Sequence, residues 1–199
     1  ISPSPATVEK NTTISAVLKD GAGNPINSAL MSYYINSGGA WNPIGSDETD
    51  SNGFSSCQWP PTEVGTFDIK ADFSGTPRKY APSSQTVRLE VKATSSLLSL
   101  FVTPSVKVGN TADLVATLYK DSVVSPPLIE GATIHFSISP GGWSDSKVTN
   151  SSGMASTTYT FNTAGSYQIK AEYLGELPNY NPSSDSTTRW VASMLTSLN

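Results

Sequence analysis

The sequence is poor in charge and contains no long apolar run. Only 14% of its 199 residues are charged, and the net charge at pH 7 is -4. Phosphate binding needs clustered Lys and Arg, which neither half of the chain offers, so nucleic acid is not an expected partner. No stretch approaches the roughly 18 apolar residues that a membrane-spanning helix requires, so we expect no direct membrane insertion.

Two scarce side chains limit the chemistry that the chain can carry. Cys57 is the single cysteine, which excludes an internal disulfide, and its alternation with Trp59 predicts a small buried thiol that fills core space. His135 is the single histidine, and its strand pattern places it on a solvent-facing side. Neither a nucleophile with its base nor a metal-ligand spacing can be assembled. The sequence therefore predicts a protein that is not an enzyme, with no catalytic residues, no cofactor and no metal.

What the sequence has in abundance is repetition at a period near 100 residues. A period of that length matches one independently folding domain and is too long for a solenoid unit. We therefore predict two domains, residues 1–95 and 96–199, with a short connection that sets them end to end. The repeated segments are Gly65–Gly75 with Gly165–Gly175, Thr49–Gly53 with Thr149–Gly153, and Tyr80–Ser84 with Tyr180–Ser184.

Abundant Ser and Thr and frequent turn residues predict an all-β fold. Apolar and polar residues alternate in Thr133–Ile138, which is the period of a half-buried strand. About seven such segments per copy imply a two-sheet β-sandwich of immunoglobulin type. The predicted strands lie near residues 6–9, 12–19, 29–36, 43–48, 53–59, 65–74 and 84–92, and near residues 97–103, 111–119, 131–139, 144–149, 153–161, 165–174 and 185–193.

A tyrosine in the second copy adds a feature of immunoglobulin domains. These domains carry a tyrosine at the corner that enters the sixth strand, two residues before a disulfide cysteine. Tyr167 occupies that position, and Ile169 stands where the cysteine would be. The first copy has Phe67 at the matching position, so packing alone has to hold its corner.

Turn residues lie along the first copy in Leu18–Asp20, Gly23–Ile26, Gly38–Gly39, Thr49–Gly53 and Gly65–Ala71. These segments resemble those of bacterial and archaeal immunoglobulin-like repeats, which occur in tandem in surface proteins such as the stalks of invasin and intimin adhesins. The second copy departs from this pattern at Ser125–Leu128 and at Asn150, which replaces Asp50. The resemblance implies an extracellular, non-catalytic spacer or adhesion module within a longer cell-surface or secreted protein.

Two tryptophans leave a carbohydrate-binding alternative open. Trp41 and Trp143 each follow a double glycine in the same hairpin of the two copies. Exposed rings at these positions would stack on glycans, as in an accessory module of a secreted enzyme. The favoured interpretation is structural, with each ring folded back over the open end of its sandwich. Trp190, matched with Leu89, predicts core or interdomain packing.

Polar residues suggest two further sites that the sequence leaves open. Asp47 and Asp50 could offer oxygen ligands to calcium, but they lack the spacing of a calcium loop, and a charged edge strand is the preferred interpretation. Asn11 and Asn150 fit the acceptor pattern for N-glycosylation. A glycan or a protein on a cell surface, and neighbouring domains of a longer chain, are the expected partners.

Overall fold

The structure, a computed structural model, describes residues 1–120 and 127–193. The chain divides into two compact units, Ile1–Ala93 and Thr94–Asn199. Each unit is a sandwich of two β-sheets, so the predicted fold class of tandem immunoglobulin-like sandwiches is confirmed. The domain boundary at residue 95 stays a prediction. Within the described ranges, no helix is long and apolar enough to cross a membrane.

The first unit contains seven strands. A five-stranded sheet has the order β1-β7-β6-β3-β4, in which only the β1–β7 pair is parallel, and a two-stranded antiparallel sheet pairs β2 with β5. The strands are β1 (Ala6–Thr7), β2 (Thr12–Val17), β3 (Leu30–Ser37), β4 (Ala40–Glu48), β5 (Phe54–Trp59), β6 (Gly65–Phe73) and β7 (Ser83–Lys92).

The described residues of the second unit repeat this plan with eight strands. Its larger sheet has the order β12-β11-β14-β15-β9, and its smaller sheet has the order β13-β10-β8. The predicted departure at Ser125 and Pro126 lies outside the described residues. The strands are β8 (Ser96–Val102), β9 (Val106–Lys107), β10 (Thr111–Lys120), β11 (Thr133–Ser139), β12 (Trp143–Val148), β13 (Met154–Thr160), β14 (Gly165–Tyr173) and β15 (Ser183–Ala192).

The two units differ in how their first strands pair. In the second unit, β8 pairs with β10 in one sheet, and β9 then pairs in parallel with β15 in the other. In the first unit, β1 takes the place of β9, because it pairs in parallel with β7. Among the described residues of the first unit, no strand takes the place of β8.

Each unit has its own apolar core between its two sheets. The predicted alternation in β11 is confirmed, since Ile134, Phe136 and Ile138 are buried and the residues between them are only half-buried. Burial of one such side chain contributes about 1.5–3 kcal/mol to folding, so each core stabilises its own sandwich. The largest fully buried side chains include Tyr33, Ile69 and Leu89 in the first unit, and Phe136, Phe161 and Tyr173 in the second.

The repeated segment Thr49–Gly53 forms the predicted turn before β5, and Thr149–Gly153 forms its counterpart before β13. One Asp50 carboxylate oxygen accepts the backbone N–H groups of Asn52 and Phe54 at 2.8 and 2.9 Å. Asn150 accepts two N–H groups in the same way through its amide oxygen, at 2.9 and 3.1 Å. The turn needs only one oxygen acceptor, so the change from Asp50 to Asn150 preserves it.

Candidate binding surface around Trp41

The two tryptophans that the sequence singles out lie in matching hairpins. Trp41 is in β4, just after the tight turn at Gly38 and Gly39, whose φ angles are 63° and 87°. Trp143 is the first residue of β12, in the hairpin that β11 and β12 form. The predicted hairpin placement is therefore observed for both residues.

A β-bulge in the first hairpin puts the two rings on opposite faces of their sheets. The register of β3 and β4 shifts between Tyr33, which lies opposite Gly45, and Tyr34, which lies opposite Pro43. The extra residue in β4 moves the strand by one position, and successive side chains of a strand point to opposite faces. The two tryptophans are consequently not structural equivalents.

The counterpart of Trp143 in the first unit is Asn42. Asn42 lies opposite Ile35, and Trp143 lies opposite Ile138. Ile35 and Ile138 are themselves equivalent, because each pairs on its other side with the matching isoleucine of β6 or β14. The fold therefore does not place a tryptophan ring at the equivalent position of each unit.

Trp143 covers one end of its core. Its ring contacts Tyr159 with a centroid separation of 5.1 Å, and Tyr159 contacts the buried Phe161 at 4.8 Å. The ring is partly buried and packs against the core of the second unit. This arrangement agrees with the structural interpretation of Trp143, in which the ring packs over the core.

Trp41 lies on the outer face of the larger sheet of the first unit. The ring belongs to a side chain that is 38% exposed. The Lys70 ammonium lies 5.0 Å from the Trp41 ring centroid and 4.8 Å from that of Tyr34, distances at which a cation attracts an aromatic face. Asp72 forms an ion pair with Lys70 at 3.9 Å. We call Tyr34, Trp41 and Lys70 the Trp41 cluster.

The second unit does not repeat the Trp41 cluster. Lys170 occupies the place of Lys70, but the residue opposite it on β11 is Ser137. Lys170 instead forms an ion pair with Glu172 at 2.6 Å. Among the residues that the structure describes, the combination of an exposed indole, a phenol and an ammonium thus occurs in the first unit alone. The sequence pattern after the double glycine identified Trp41 but gave no sign of Tyr34 and Lys70, which only the strand pairing brings beside it.

The acidic residues that could offer ligands to calcium have other partners. Asp47 accepts the backbone N–H of Ser56 at 2.9 Å. Hydrogen bonds from the backbone N–H groups of Phe54 and Asn52 lower the pKa of Asp50. Among the described residues, no three or more His, Cys, Asp and Glu side chains are grouped to hold a metal ion. β4 lies at the edge of its sheet. This position agrees with the preferred interpretation of the acidic residues as charges on an edge strand.

The single cysteine and the single histidine are both partly buried. Cys57 is only half-buried, although it packs against the core of the first unit. Burial, with a smaller effect from the Asp47 charge, raises the pKa of its thiol to about 11. His135 lies on the outer side of β11, as predicted, with Nδ1 2.9 Å from the Ser146 hydroxyl.

The expectation for Trp190 is wrong. Its side chain is 70% exposed, so it belongs to no core. The strand register shows that the counterpart of Leu89 is Arg189, because Leu89 lies opposite Phe67 and Arg189 lies opposite Tyr167. Matching Trp190 with Leu89 offsets the two copies by one residue. Successive side chains of a strand point to opposite faces, so Arg189 takes the inward-facing position and Trp190 faces outward.

The predicted acceptor asparagines are both exposed. Asn150 uses its side-chain oxygen to hold a tight turn, as described above. Glycosylation of Asn11 and Asn150 stays a prediction.

Comparison with known proteins gives structural likenesses only. No protein-family model matches the sequence, and no curated protein matches it. Invasin, a bacterial integrin-binding protein, aligns with 96% of the chain at 17% identity with a TM-score of 0.57. The chain spans 38% of the invasin chain. The tetra-tandem repeat of a large adhesion protein covers 92% of the chain at 15% identity with a TM-score of 0.45. The D0–D1 domains of intimin cover 94% of the chain at 14% identity with a TM-score of 0.35. The likeness to invasin shows that this chain has the fold of tandem bacterial immunoglobulin-like domains.

Proposed function

We propose that the chain is a non-catalytic extracellular module, a tandem immunoglobulin-like spacer segment of a larger cell-surface or secreted adhesion protein. The observation that carries the proposal is that each unit closes a separate core while only residues 93–95 lie between β7 and β8. Autonomous domains on so short a connection add length to a chain without needing a catalytic site. The fold shared with invasin supports the same assignment.

The connection itself is held by hydrogen bonds. Thr94 is buried, its N–H donates to the Asn179 carbonyl at 2.9 Å, and its carbonyl accepts the Asn181 N–H at 2.9 Å. These bonds belong to the second unit, so the connection has few residues left that can rotate freely. A spacer that resists bending requires a connection of this kind.

A distance measurement between the units tests the spacer role. Spin labels on Thr66→Cys and Ser166→Cys, in a Cys57→Thr background, mark exposed positions that correspond in β6 and β14. Double electron–electron resonance should give one narrow distance distribution. An insertion of four Gly and Ser residues between Ala93 and Thr94 is the matched control and should broaden it. A distribution that is already broad without the insertion would contradict the proposal.

The Trp41 cluster supports a second candidate function, binding of a carbohydrate on a cell surface. Sugars present C–H faces that stack on exposed indoles, and the ammonium of Lys70 can donate hydrogen bonds to hydroxyl groups beside the ring. A glycan array probed with the wild-type chain, Trp41→Ala and Trp143→Ala separates the possibilities. Loss of binding in Trp41→Ala alone supports this site, whereas absence of binding by the wild type leaves the spacer role. Since invasin binds integrin, a surface protein is the other partner class to screen.

A further inference from the structure

The β2 edge of the first unit lacks a neighbour that the second unit has. β10 pairs with β13 on one side and with β8 along the other. β2 pairs with β5 on one side, but its other side meets only Ser2, whose N–H and carbonyl bond to Thr13 at 2.9 and 2.8 Å. Beyond Thr13, within the described part of the chain, no strand lies along this side of β2. We call it the open edge.

The backbone groups of the open edge can be identified from the Thr13 bonds. In an antiparallel strand, the N–H and carbonyl of alternate residues point to the same side. Ser15 and Val17 therefore direct their backbone groups to the same side as Thr13. At their places in the second unit, Val115 and Thr117 face β8. An unpaired strand edge of this kind is a template for one further strand.

The bonded pair at the start of the edge fixes the correspondence between the units. Thr103 donates its N–H to the Asp113 carbonyl at 3.1 Å, just as Ser2 donates to Thr13. Ile1 consequently takes the place of Val102, the last residue of β8. Val102 is fully buried, and Ile1 is partly buried against the core of the first unit. A strand that continues from Ile1 along β2 would thus occupy the place of β8.

The inner face beneath the open edge is correspondingly less covered. In the second unit Ala116 is fully buried, whereas its counterpart Ala16 is only partly buried. A groove of about 240 Å³ lies beside Ala16, and its lining includes Ile1 and Val87. Val87 is 43% exposed. The apolar lining calls for a partner with apolar side chains on the side that faces the sheet.

The residues of β15 that make polar contacts with β8 have counterparts on β7 in the first unit. The Leu100 N–H donates to Asp185 at 2.8 Å, and the Ser96 hydroxyl lies 2.7 Å from the Ser183 hydroxyl. On β7, Gln85 and Ser83 take the places of Asp185 and Ser183, because their partners on β6 correspond to the partners of Asp185 and Ser183 on β14. Gln85 and Ser83 are both exposed, and both can accept a hydrogen bond.

We propose that the open edge binds one additional antiparallel strand joined directly to Ile1, with the alternating chemistry of β8. Its inward residues would be apolar and fill the groove, and its backbone would pair with Ser15 and Val17. The occupant is specified by β8 itself, in which Leu98 is buried and Leu97 is exposed. The first unit would then have the same three-stranded smaller sheet as the second.

Fusing six residues to the N-terminus of the full chain tests this. The extension Ser-Leu-Leu-Ser-Leu-Phe copies residues 96–101 and places Ile1 in the position of Val102. Amide hydrogen exchange measured by NMR should become about tenfold slower or more at Ser15 and Val17, because new backbone bonds protect them. The control extension replaces its third and fifth residues, the counterparts of Leu98 and Leu100, by Ser. Its inward face is polar, so it should not protect these amides.

The possible results separate the alternatives. Protection in the first extension only, in a monomer, supports the proposal. Unchanged exchange at Ser15 and Val17, or equal protection by both extensions, overturns it. Protection of these amides in the unextended chain that disappears on dilution would assign the edge to a second copy instead, and would also overturn it. The amides of Val115 and Thr117 report folding of the second unit in each sample.

Discussion

The hydroxyl groups of Tyr33 and Ser55 share a buried hydrogen bond of 2.5 Å between the two sheets of the first unit. Both side chains are fully buried. The register places Phe136 and Ala155 at the same positions of the second unit. The two cores therefore fill the same space in different ways, one with a pair of hydroxyl groups and the other with neither.

Removal of one hydroxyl should cost far more than removal of both. Ser55→Ala leaves the Tyr33 hydroxyl buried without this partner, and should lower the free energy of unfolding of the first unit by about 1–3 kcal/mol. Tyr33→Phe combined with Ser55→Ala reproduces the pair of the second unit, and should cost less than about 1 kcal/mol. Urea titrations followed by NMR resolve the two units residue by residue.

The second unit offers the matched control. Ala155→Ser buries a hydroxyl beside Phe136, which has no polar group to answer it, and should destabilise that unit by about 1–3 kcal/mol. If the single and double changes at Tyr33 and Ser55 cost the same, the two hydroxyl groups are not coupled.

Strand positions were predictable because the signals that set them are local. The alternation of Thr133–Ile138 and the turn residues of Thr49–Gly53 specify a strand and a turn without reference to the rest of the chain, and both are observed. The hydroxyl pair of Tyr33 and Ser55 was not predicted. These residues are 22 positions apart and meet only when the two sheets pack, which no short pattern encodes.

The raised pKa of Cys57 should make stability fall with rising pH. Unfolding restores an ordinary thiol pKa, near 9, whereas the folded value is about 11. The unfolded state then binds fewer protons than the folded state between these values, so the free energy of unfolding decreases as pH rises from about 9 to about 11. Cys57→Thr, which installs the residue of the second unit, should remove this part of the pH dependence. Urea denaturation of both proteins at several pH values measures the difference.

Alkylation checks the same pKa in the folded chain. Iodoacetamide reacts with the thiolate, so Cys57 should be modified more slowly at pH 8 than a cysteine placed at the exposed Thr66 in a Cys57→Thr chain. Equal rates at the two sites would contradict the raised pKa.

The face on which Trp41 lies could not be predicted, because it depends on a bulge. The tryptophans follow similar glycine pairs, and the sequence gives no count of how many residues of β4 oppose those of β3. One extra residue between Trp41 and Gly45 reverses the face. Trp190 is misplaced for a different reason, an offset of one residue between the two copies, since β14 and β15 pair without a register shift. Prediction was therefore reliable for the existence of strands and unreliable for the direction of individual side chains.

Gly53 should tolerate no side chain, for two separable reasons. Its φ of +72° disfavours any residue with a Cβ, and an added Cβ would lie 2.3 Å from the Leu18 carbonyl oxygen, which is itself bonded to the Ile26 N–H. Gly53→Ala should therefore lower the stability of the first unit by about 3 kcal/mol or more. Gly23→Ala is the control, since Gly23 has a φ of +88° with no heavy atom within 4 Å of the added Cβ. It should cost only the conformational strain of about 1–2 kcal/mol. Similar costs for both changes would refute the steric part.

Tyr167 provides the last test, at the predicted tyrosine corner. Its side chain is 7% exposed, and its hydroxyl donates to the Thr163 carbonyl at 3.2 Å and also contacts the Thr163 hydroxyl. Tyr167→Phe keeps the ring, which packs edge-on against Phe161 at 4.8 Å, and removes only these bonds. It should destabilise the second unit by about 0.5–1.5 kcal/mol and leave the first unit unchanged, because the substitution lies outside the core of the first unit. Thr163→Val separates the two contacts, since it preserves the carbonyl acceptor and should cost less. If Tyr167→Phe left the urea midpoint of the second unit where it was, the corner bond would have no net role, and packing alone would hold both corners.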